Sequence, residues 1–358
     1  MKPGELLELS ALRESINGSL ATFIERENRY LTEIGSELDP VAGALHSFLL
    51  DSGKRFRPLF AVIGYLGSGA LLSPETISAL SSLELIHVCA LIHDDVMDAS
   101  DTRRGAPAIH KHFENIHTAQ KLSGSAPQFG IASAILLGDL ALVWAAKMLH
   151  ESRVSSDALV SSLSVFNEMQ VELMGGQYLD IYEQALASES VERSLKVARY
   201  KSGKYSIERP LHFGAALARQ NPTELFSAYS AYGLPLGEAF QLRDDLLGVF
   251  GDFATTGKPT GDDLREGKRT VMMAMTHERA TAPQRATIKE LFGRPDLDES
   301  GIAALQSIII ETGARDHLES LISELYTEAT AVIDHPEIDS AARPLLLTMA
   351  KLATQRSS

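Results

Sequence analysis

Two groups of aspartates, about 150 residues apart, have the spacing that metal chemistry requires. The first is Asp94, Asp95 and Asp98, and the second is Asp244 and Asp245. Each follows an apolar run, where paired carboxylates are costly to bury unless a cation neutralises them. Hard oxygen ligands favour Mg²⁺, which keeps several waters and takes one or two carboxylates together with substrate phosphates. The spacing therefore predicts magnesium sites that hold a diphosphate.

Basic residues flank the first cluster in a chain that is acidic overall. They lie in Gly53-Lys54-Arg55-Phe56-Arg57-Pro58 upstream and at Arg103 and Arg104 downstream. Guanidinium groups bind phosphate oxygens in a bidentate way, and lysine adds a point charge. These groups predict contacts to a diphosphate where no metal reaches it. The alternative interpretations are ordinary surface salt bridges and, for the aspartates, a solvated acidic helix end.

Composition excludes several classes of function. The 358 residues carry 33 basic and 47 acidic side chains, a formal charge of −14, without a basic block, so nucleic acid is not an expected partner. The single cysteine, Cys89, excludes an internal disulfide framework and a cysteine-rich zinc site. A lone cysteine and the absence of a secretory pattern at the N-terminus predict a cytoplasmic protein.

One segment, residues 129–149, approaches the length and apolarity of a membrane span. Asp139 lies in its middle and would cost an isolated span roughly 2.5 to 3.5 kcal/mol. We therefore expect a buried core helix here and no integral membrane segment.

Helical periodicity dominates the chain and predicts an all-α fold. Helix start signals recur at Ser73-Pro74-Glu75, at Asn221 to Glu224 and at Asp296 to Asp298. No linker or repeat divides the sequence, so one domain of roughly a dozen helices is expected over 1–358, with 1–15 and 354–358 flexible. The charged, glycine-rich segment 257–269 is predicted to be a loop beside the second cluster.

Taken in order, these residues resemble the trans-isoprenyl diphosphate synthase family, also called polyprenyl synthetases. The resemblance covers nearly the whole chain and implies a single-domain, all-α isoprenoid synthase-type helical bundle that encloses a central cavity. Its motifs are Gly53 to Pro58, Glu84-Leu85-Ile86-His87, His93 to Asp98, Arg103-Arg104-Gly105, Gly138-Asp139, Gly176-Gln177 with Asp180, Lys201-Ser202, and Phe240 to Asp245.

The resemblance implies a role for each matching residue, with three Mg²⁺ around an allylic diphosphate. Metal binding falls to Asp94, Asp95, Asp98, Asp244 and Asp245. The allylic diphosphate would be bound by Arg103, Lys201, Ser202, Gln241, Lys258 and Lys268. Isopentenyl diphosphate would be bound by Lys54, Arg57, His87 and Arg104. The residues expected to be catalytic are Asp94, Asp95, Lys201, Gln241 and Asp244. The family also implies a homodimer.

Two positions depart from the family pattern. The second motif usually ends in a third acid, but position 248 is a glycine, and Ser202 replaces the expected threonine. Serine keeps the hydroxyl, so that change should be mild. The absence of a third carboxylate at position 248 removes a peripheral metal ligand of the kind that acts through water. Asp252 is a doubtful replacement because it would lie about 10.5 Å beyond Asp245 on an unbroken helix.

The residues before Asp94 bear on product length. Ile86, Cys89 and Ala90 lie eight, five and four residues before it, on or beside its helical face. An aromatic four or five residues below the metal site would plug the pocket after a short chain, whereas Cys89 and Ala90 leave it open. In the family this pattern predicts a product of about twenty carbons or more, and we expect geranylgeranyl diphosphate.

The expected function is therefore a Mg²⁺-dependent, 1'-4 trans condensation of isopentenyl diphosphate with an allylic prenyl diphosphate. A longer-chain polyprenyl or a farnesyl diphosphate synthase is the alternative within the family. Outside it, a class I terpene cyclase would not need Lys54, Arg57, His87 and Arg104. A non-catalytic regulatory subunit typically loses one acidic motif, and Gly248 is a single step in that direction.

Overall fold

The structure is a computed structural model that describes residues 9–51, 53–251 and 260–355. The described residues are almost entirely helical, as the periodicity predicted. The α-helices are α1 (Leu9–Ile34), α2 (Asp39–Leu50), α3 (Phe56–Leu66), α4 (Pro74–Met97), α5 (Ile109–Ala119), α6 (Ala126–His150), α7 (Ser156–Ala185), α8 (Val191–Val197), α9 (Arg209–Ala218), α10 (Thr223–Phe250), α11 (Asp262–Glu266), α12 (Val271–Arg279), α13 (Ala282–Leu291), α14 (Glu299–Glu311), α15 (Ala314–Ala331) and α16 (Arg343–Thr354).

Three short elements complete the described structure. A 3-10 turn spans Ser36–Leu38, a π-helical segment spans Ala198–Glu208, and strands β1 (Thr102–Arg103) and β2 (Ala106–Pro107) pair antiparallel. The π-helix continues α8 directly into α9. π-Helical turns are rare in proteins overall. Those that occur are frequently found at functional sites.

The chain forms two compact units, each assembled from separate stretches of sequence. The first contains residues 1–166, 210–226 and 336–345, and the second contains 167–209, 227–335 and 346–358. The prediction of one domain over 1–358 stays a prediction. Residues 9–15, expected to be flexible, form the first turns of α1.

In the first unit, α4 packs against α6, α1 and α3, and α5 packs against α6. The start of α4 is fixed by a capping box: Ser73 Oγ accepts from Thr76 N, and Thr76 Oγ1 accepts from Ser73 N at 2.8 Å. Buried side chains such as Leu83, Ile86 and Ile92 run along the helix to the first aspartate cluster. The packing therefore holds the acidic end of α4 in place.

In the second unit, α12 packs against α8, α14 and α15, and the core includes Leu242, Leu246, Leu264, Met272 and Leu318. Because Leu242 and Leu246 lie on α10 and Leu264 lies on α11, one apolar cluster holds both helices. The second aspartate cluster therefore lies on a helix with a packed face.

Two predictions need correction. Residues 262–266 of the expected loop form helix α11, because Gly261 and Gly267 adopt left-handed conformations (φ 75° and 71°) that begin and end a helix with an acidic first turn. The helix predicted at 129–149 is α6, but it is buried on one face only. Leu136 and Val143 are 66% and 61% exposed. Composition alone does not reveal which face of an apolar helix its own chain covers.

Length and apolar composition would allow α4 and α6 to cross a membrane, although α4 is largely buried. Core helices of globular proteins can have the same length and apolar composition.

Candidate active site

The first aspartate cluster lies at the C-terminal end of α4. Asp94 and Asp95 occupy its last turn, and Asp98 is the C-cap residue. Asp95 is fully buried, whereas Asp94 and Asp98 are half-buried. The C-terminal end of a helix carries partial negative charge, so three carboxylates there need positive charge nearby. The placement favours cation binding over a solvated acidic helix end.

Arg103 supplies part of that positive charge from strand β1. Its Nε donates to Asp95 Oδ1 at 2.9 Å, its Nη2 contacts the same oxygen, and Nη2 lies 3.5 Å from Asp94 Oδ2. Although burial opposes it, the hydrogen bond to Asp95 and the surrounding carboxylates raise the pKa of Arg103 above its usual value. Arg103 is therefore charged at the place where the sequence predicted a contact to the allylic diphosphate.

The β1–β2 hairpin turns Arg103 and Arg104 toward different surroundings. Its two-residue turn is Arg104-Gly105, and both residues have positive φ values, 56° and 79°, as a type I′ turn requires. The guanidinium of Arg104 lies 5.8 Å from the centre of the Phe48 ring, away from the Asp95 contact of Arg103. The two guanidinium groups thus have different neighbours, and their assignment to different diphosphates stays a prediction.

His87, Arg57 and Arg104 lie close enough to influence one another. Burial lowers the pKa of His87 well below its usual value, and the charges of Arg57 and Arg104 lower it further. The imidazole is therefore neutral and can donate one N–H. Lys54 is exposed just before α3, in the same unit. These are the four residues predicted to bind isopentenyl diphosphate without a metal.

Sequence reasoning gave no role to Arg55 and Glu84, although both lie in quoted motifs. Their side chains are buried and form an ion pair at 2.7 Å between Nη1 and Oε1. Arg55 also donates to Asn17 Oδ1 at 2.8 Å and to the carbonyl oxygen of Leu49 at 2.6 Å. Arg55 thereby ties α1, α2 and α4 together beside the basic group. The only sequence signal for a role of Arg55 was its position beside Lys54 and Arg57. Residue type alone does not distinguish an arginine that stabilises the fold from one that binds a ligand.

In the second unit, Asp244 and Asp245 lie on α10 one turn after Gln241. Gln241 Nε2 donates to Asp245 Oδ1 at 2.8 Å. Burial raises the pKa of Asp245 to about 7, and the charges of Asp263 and Asp244 contribute, while the Gln241 hydrogen bond opposes the rise. A buried carboxylate with a raised pKa is stabilised by a nearby cation. Gln241 orients this carboxylate directly.

Lys201 and Ser202 lie in the π-helical segment. Lys201 Nζ donates to Asp180 Oδ2 on α7 at 2.7 Å, and Ser202 is buried. A Cβ atom at Gly176 would lie 2.6 Å from Lys201 Cα, so glycine allows α7 to approach the backbone here. The Gly176, Asp180 and Lys201 motifs therefore form one structural element.

The remaining predicted contacts to the allylic diphosphate lie near α11. Lys268 Nζ is 2.9 Å from Glu266 and 3.7 Å from Asp263. Lys258, and Asp252 with it, lies outside the described residues.

The predicted product-length residues differ in their surroundings on α4. Ile86 and Cys89 are fully buried, and Cys89 Sγ lies 3.7 Å from His93 Nδ1, while His93 Nε2 lies 3.1 Å from the Ile135 carbonyl oxygen on α6. Ala90 is partly exposed and, four residues before Asp94, about 40° from it around the helix, whereas Cys89 is about 140° away. Ala90 is therefore better aligned with the acidic cluster than Cys89.

The donor set of both clusters fits a hard divalent cation, because the carboxylates offer only oxygen ligands. Across residues 9–51, 53–251 and 260–355, no three His, Cys, Asp or Glu side chains converge on one metal position. Mg²⁺ takes few protein ligands and completes its shell with water and phosphate oxygens.

Comparison with known proteins identifies the family. The model of the polyprenyl synthetase family matches residues 39–309. The chain belongs to the polyprenyl synthetase family. It is 31% identical, over 323 residues, to the geranylfarnesyl diphosphate synthase of Aeropyrum pernix, an alignment that covers 89% of this chain and 95% of that protein.

Solved structures of polyprenyl synthetases give the same result for the fold. A geranylgeranyl pyrophosphate synthase from Corynebacterium glutamicum, complexed with isoprenyl diphosphate and magnesium, is 41% identical with a TM-score of 0.94, covering 98% of this chain and 100% of that one. A polyprenyl synthase from Caulobacter crescentus, complexed with calcium and isoprenyl diphosphate, is 26% identical with a TM-score of 0.74, covering 99% and 100%. The predictions of an all-α isoprenoid synthase fold and of a prenyltransferase are confirmed.

Proposed function

We propose that this polyprenyl synthetase condenses isopentenyl diphosphate with an allylic prenyl diphosphate and releases geranylgeranyl diphosphate. The observation that carries the product assignment is Ala90, a small, partly exposed side chain one helical turn before Asp94. A small residue there leaves room for a prenyl chain to extend below the diphosphate. The similarity to a geranylgeranyl pyrophosphate synthase supports the same product.

We propose that the allylic diphosphate is bound with three Mg²⁺ by Asp94, Asp95, Asp98, Asp244 and Asp245. The bound metal supplies electrostatic stabilisation of the departing diphosphate. Arg103, Lys201 and Lys268 add fixed positive charge to its oxygens, and Ser202 offers a hydroxyl. Gln241 orients Asp245 through their 2.8 Å hydrogen bond, and Lys258 completes the proposed set.

We propose that isopentenyl diphosphate is bound by Lys54, Arg57, His87 and Arg104. Three positive charges and the N–H of a neutral imidazole match a diphosphate that carries no metal. Ionisation of the allylic diphosphate leaves a carbocation, the isopentenyl double bond attacks it, and one proton is lost. The departing diphosphate is the base we propose for that proton, since it lies where the charge develops.

A homodimer is part of the proposal, because the outward face of α6 is mainly apolar, with Asp139 as a charged residue that is 61% exposed on it. Phe129, Ile135, Leu136 and Val143 are 38% to 66% exposed on this one helix. Apolar side chains clustered on a helix face are more typical of a protein interface than of a solvated surface. We also propose that the enzyme acts in the cytoplasm.

The test uses the purified full chain with labelled isopentenyl diphosphate, MgCl₂ and allylic diphosphates of five, ten or fifteen carbons in turn. Chromatography should show a twenty-carbon product that disappears with EDTA. Ala90→Phe should shorten the product more than Cys89→Phe, because Ala90 is aligned with Asp94. A twenty-five-carbon product would instead match the similarity to a geranylfarnesyl diphosphate synthase. No metal-dependent elongation would exclude the synthase and favour a regulatory subunit.

A further inference from the structure

Gly248 is the position at which the second aspartate cluster lacks its usual third acid. It lies on α10 four residues after Asp244 and three after Asp245, so its Cα is on the same helical face as theirs. A carboxylate at this position would project toward the volume that Asp244 and Asp245 face. Because glycine has no side chain, another group can fill this space.

The carboxylate of Asp263, from α11, fills it. A Cβ atom at Gly248 would overlap one carboxylate oxygen of Asp263 and would lie 2.5 Å from its Cγ and 3.1 Å from its other oxygen. The Asp263 side chain is only 15% exposed. An acid therefore lies where the family pattern expects one, but it comes from another helix.

The surroundings of Asp263 hold it in this position. It lies in the first turn of α11, after Gly261 in a left-handed conformation. The next residue, Leu264, is fully buried, and its carbonyl oxygen accepts from Gly293 N at 2.9 Å. The Asp263 carbonyl oxygen accepts from Lys268 N at 3.0 Å. Backbone bonds on both sides thus fix the helix that presents the carboxylate.

Charge relations agree with this placement. Lys268 Nζ lies 3.7 Å from Asp263 Oδ1, which puts Asp263 beside a residue proposed to bind the allylic diphosphate.

We propose that Asp263 supplies, from α11, the third carboxylate that the second cluster lacks at Gly248, and that it is a positioning residue for Mg²⁺ bound to a diphosphate. It acts by accepting hydrogen bonds from metal-bound water, since Mg²⁺ retains several waters. This role rests on the proposed function. It also explains why a synthase can lack the third acid of its motif: the side chain is replaced in space, not in sequence.

The first test compares Asp263→Asn with Asp262→Asn, which makes the same chemical change one residue earlier in α11. Isothermal titration measures Mg²⁺ binding to each folded variant with inorganic pyrophosphate present. Asp263→Asn should weaken Mg²⁺ binding about tenfold, as loss of a partner of metal-bound groups typically does. Asp262→Asn should stay within about twofold of the wild type by the same criterion. Equal losses in both variants, or no loss in Asp263→Asn, would overturn the proposal.

The second test moves the carboxylate back to its family position. Gly248→Asp alone should lower Tm, because the new side chain overlaps Asp263. The double variant Gly248→Asp with Asp263→Ala should bind Mg²⁺ within about threefold of the wild type, while Asp263→Ala alone should lose about tenfold. If the folded double variant binds Mg²⁺ no better than Asp263→Ala, a carboxylate at position 248 does not replace that of Asp263, and the proposal is rejected.

Failure of the proposed function is separable from failure of this inference. If the wild type binds Mg²⁺ with pyrophosphate and the variants rank as expected, Asp263 has the proposed role even if no prenyl chain is elongated. If the wild type elongates chains but Asp263→Asn binds Mg²⁺ normally, the function holds and the role of Asp263 is wrong. A wild type that binds no Mg²⁺ with pyrophosphate would also reject that role.

Discussion

Nη1 of Arg55 lies 2.7 Å from Oε1 of Glu84, and both side chains are buried. Arg55 reaches this position from the residue before α3, with a left-handed backbone (φ 53°), and Glu84 lies in the middle of α4. The pair is three residues from His87 along α4 and adjacent to Lys54. It therefore supports the proposed isopentenyl diphosphate site without being one of its contacts.

We predict that Arg55→Met destabilises the protein by about 3 kcal/mol, because it leaves the Glu84 charge buried without this guanidinium. The matched control is Arg294→Met, whose partner Asp296 lies 2.9 Å away in an exposed pair. Loss of an exposed pair should cost less than about 1 kcal/mol. Denaturant unfolding measures both changes. Similar losses in the two variants would contradict a structural role for the Arg55–Glu84 pair.

Asp94, in the last turn of α4, should be needed for metal binding, whereas a nearby exposed aspartate should not. Asp94→Asn is expected to lower the elongation rate about 10²-fold or more, because it weakens electrostatic stabilisation of the leaving diphosphate. It should also raise the Mg²⁺ concentration needed for half-maximal activity. Steady-state kinetics at varied MgCl₂ measures both quantities.

The control is Asp101→Asn, a carboxylate 75% exposed that pairs with Lys111 at 3.3 Å. Its Mg²⁺ dependence should match that of the wild type. A shift as large as that of Asp94→Asn would mean that general acidity of this region, and not the α4 cluster, controls metal binding.

Cys89 should be chemically inert in the folded protein. Burial raises the pKa of its thiol to about 12, and Asp139 contributes, so the reactive thiolate is about one part in ten thousand at pH 8. Because a raised acid pKa favours the neutral form, reactivity should stay low up to about pH 10. Iodoacetamide labelling followed by mass spectrometry should give full modification only in denaturant. Rapid labelling of the native protein would contradict this environment.

Glu172 should make stability depend on pH at the acidic end. Burial opposes it, but hydrogen bonds from Arg209 at 2.7 Å and Lys204 at 2.6 Å lower the pKa of Glu172. A lowered carboxyl pKa contributes stability that is present above the unfolded pKa, about 4.3, and is lost as pH falls through the lower folded value.

Glu172→Gln should therefore cost about 2 kcal/mol at pH 7 and progressively less below about pH 4. Glu168→Gln is the control, since Glu168 is 55% exposed and lies 3.3 Å from the same Arg209. Its effect should be small at every pH. A Glu172→Gln penalty that is independent of pH would show that the ion pairs do not stabilise the fold.

The outward face of α6 should control association. Leu136→Asp should convert the proposed dimer into a monomer, because a second carboxylate three residues from Asp139 adds like-charge repulsion and is costly to bury. Leu71→Asp is the matched control, since Leu71 is 88% exposed and lies in the segment between α3 and α4. Size-exclusion chromatography with light scattering gives the mass of each variant. A wild type that is already monomeric would refute the dimer.

Several features could be predicted from sequence because their causes are local. The Ser73 capping box starts α4, and the run of apolar residues after it ends in aspartates at the helix terminus. The prediction of a loop over residues 257–269 was wrong for residues 262–266, which are helical. Glycines that suggest a loop can also begin and end a short helix, and only the backbone conformation distinguishes the two.

The sequence by itself predicted which residues carry the chemistry and determined that the chain is helical, because side-chain type, periodicity and capping act over a few residues. Tertiary structure decided which of these residues meet. Arg55 is bound to Glu84, only one face of α6 is covered, and Asp263 fills the space over Gly248. Contacts between residues distant in the chain depend on how helices pack, and a motif written along one helix cannot show a carboxylate that another helix supplies.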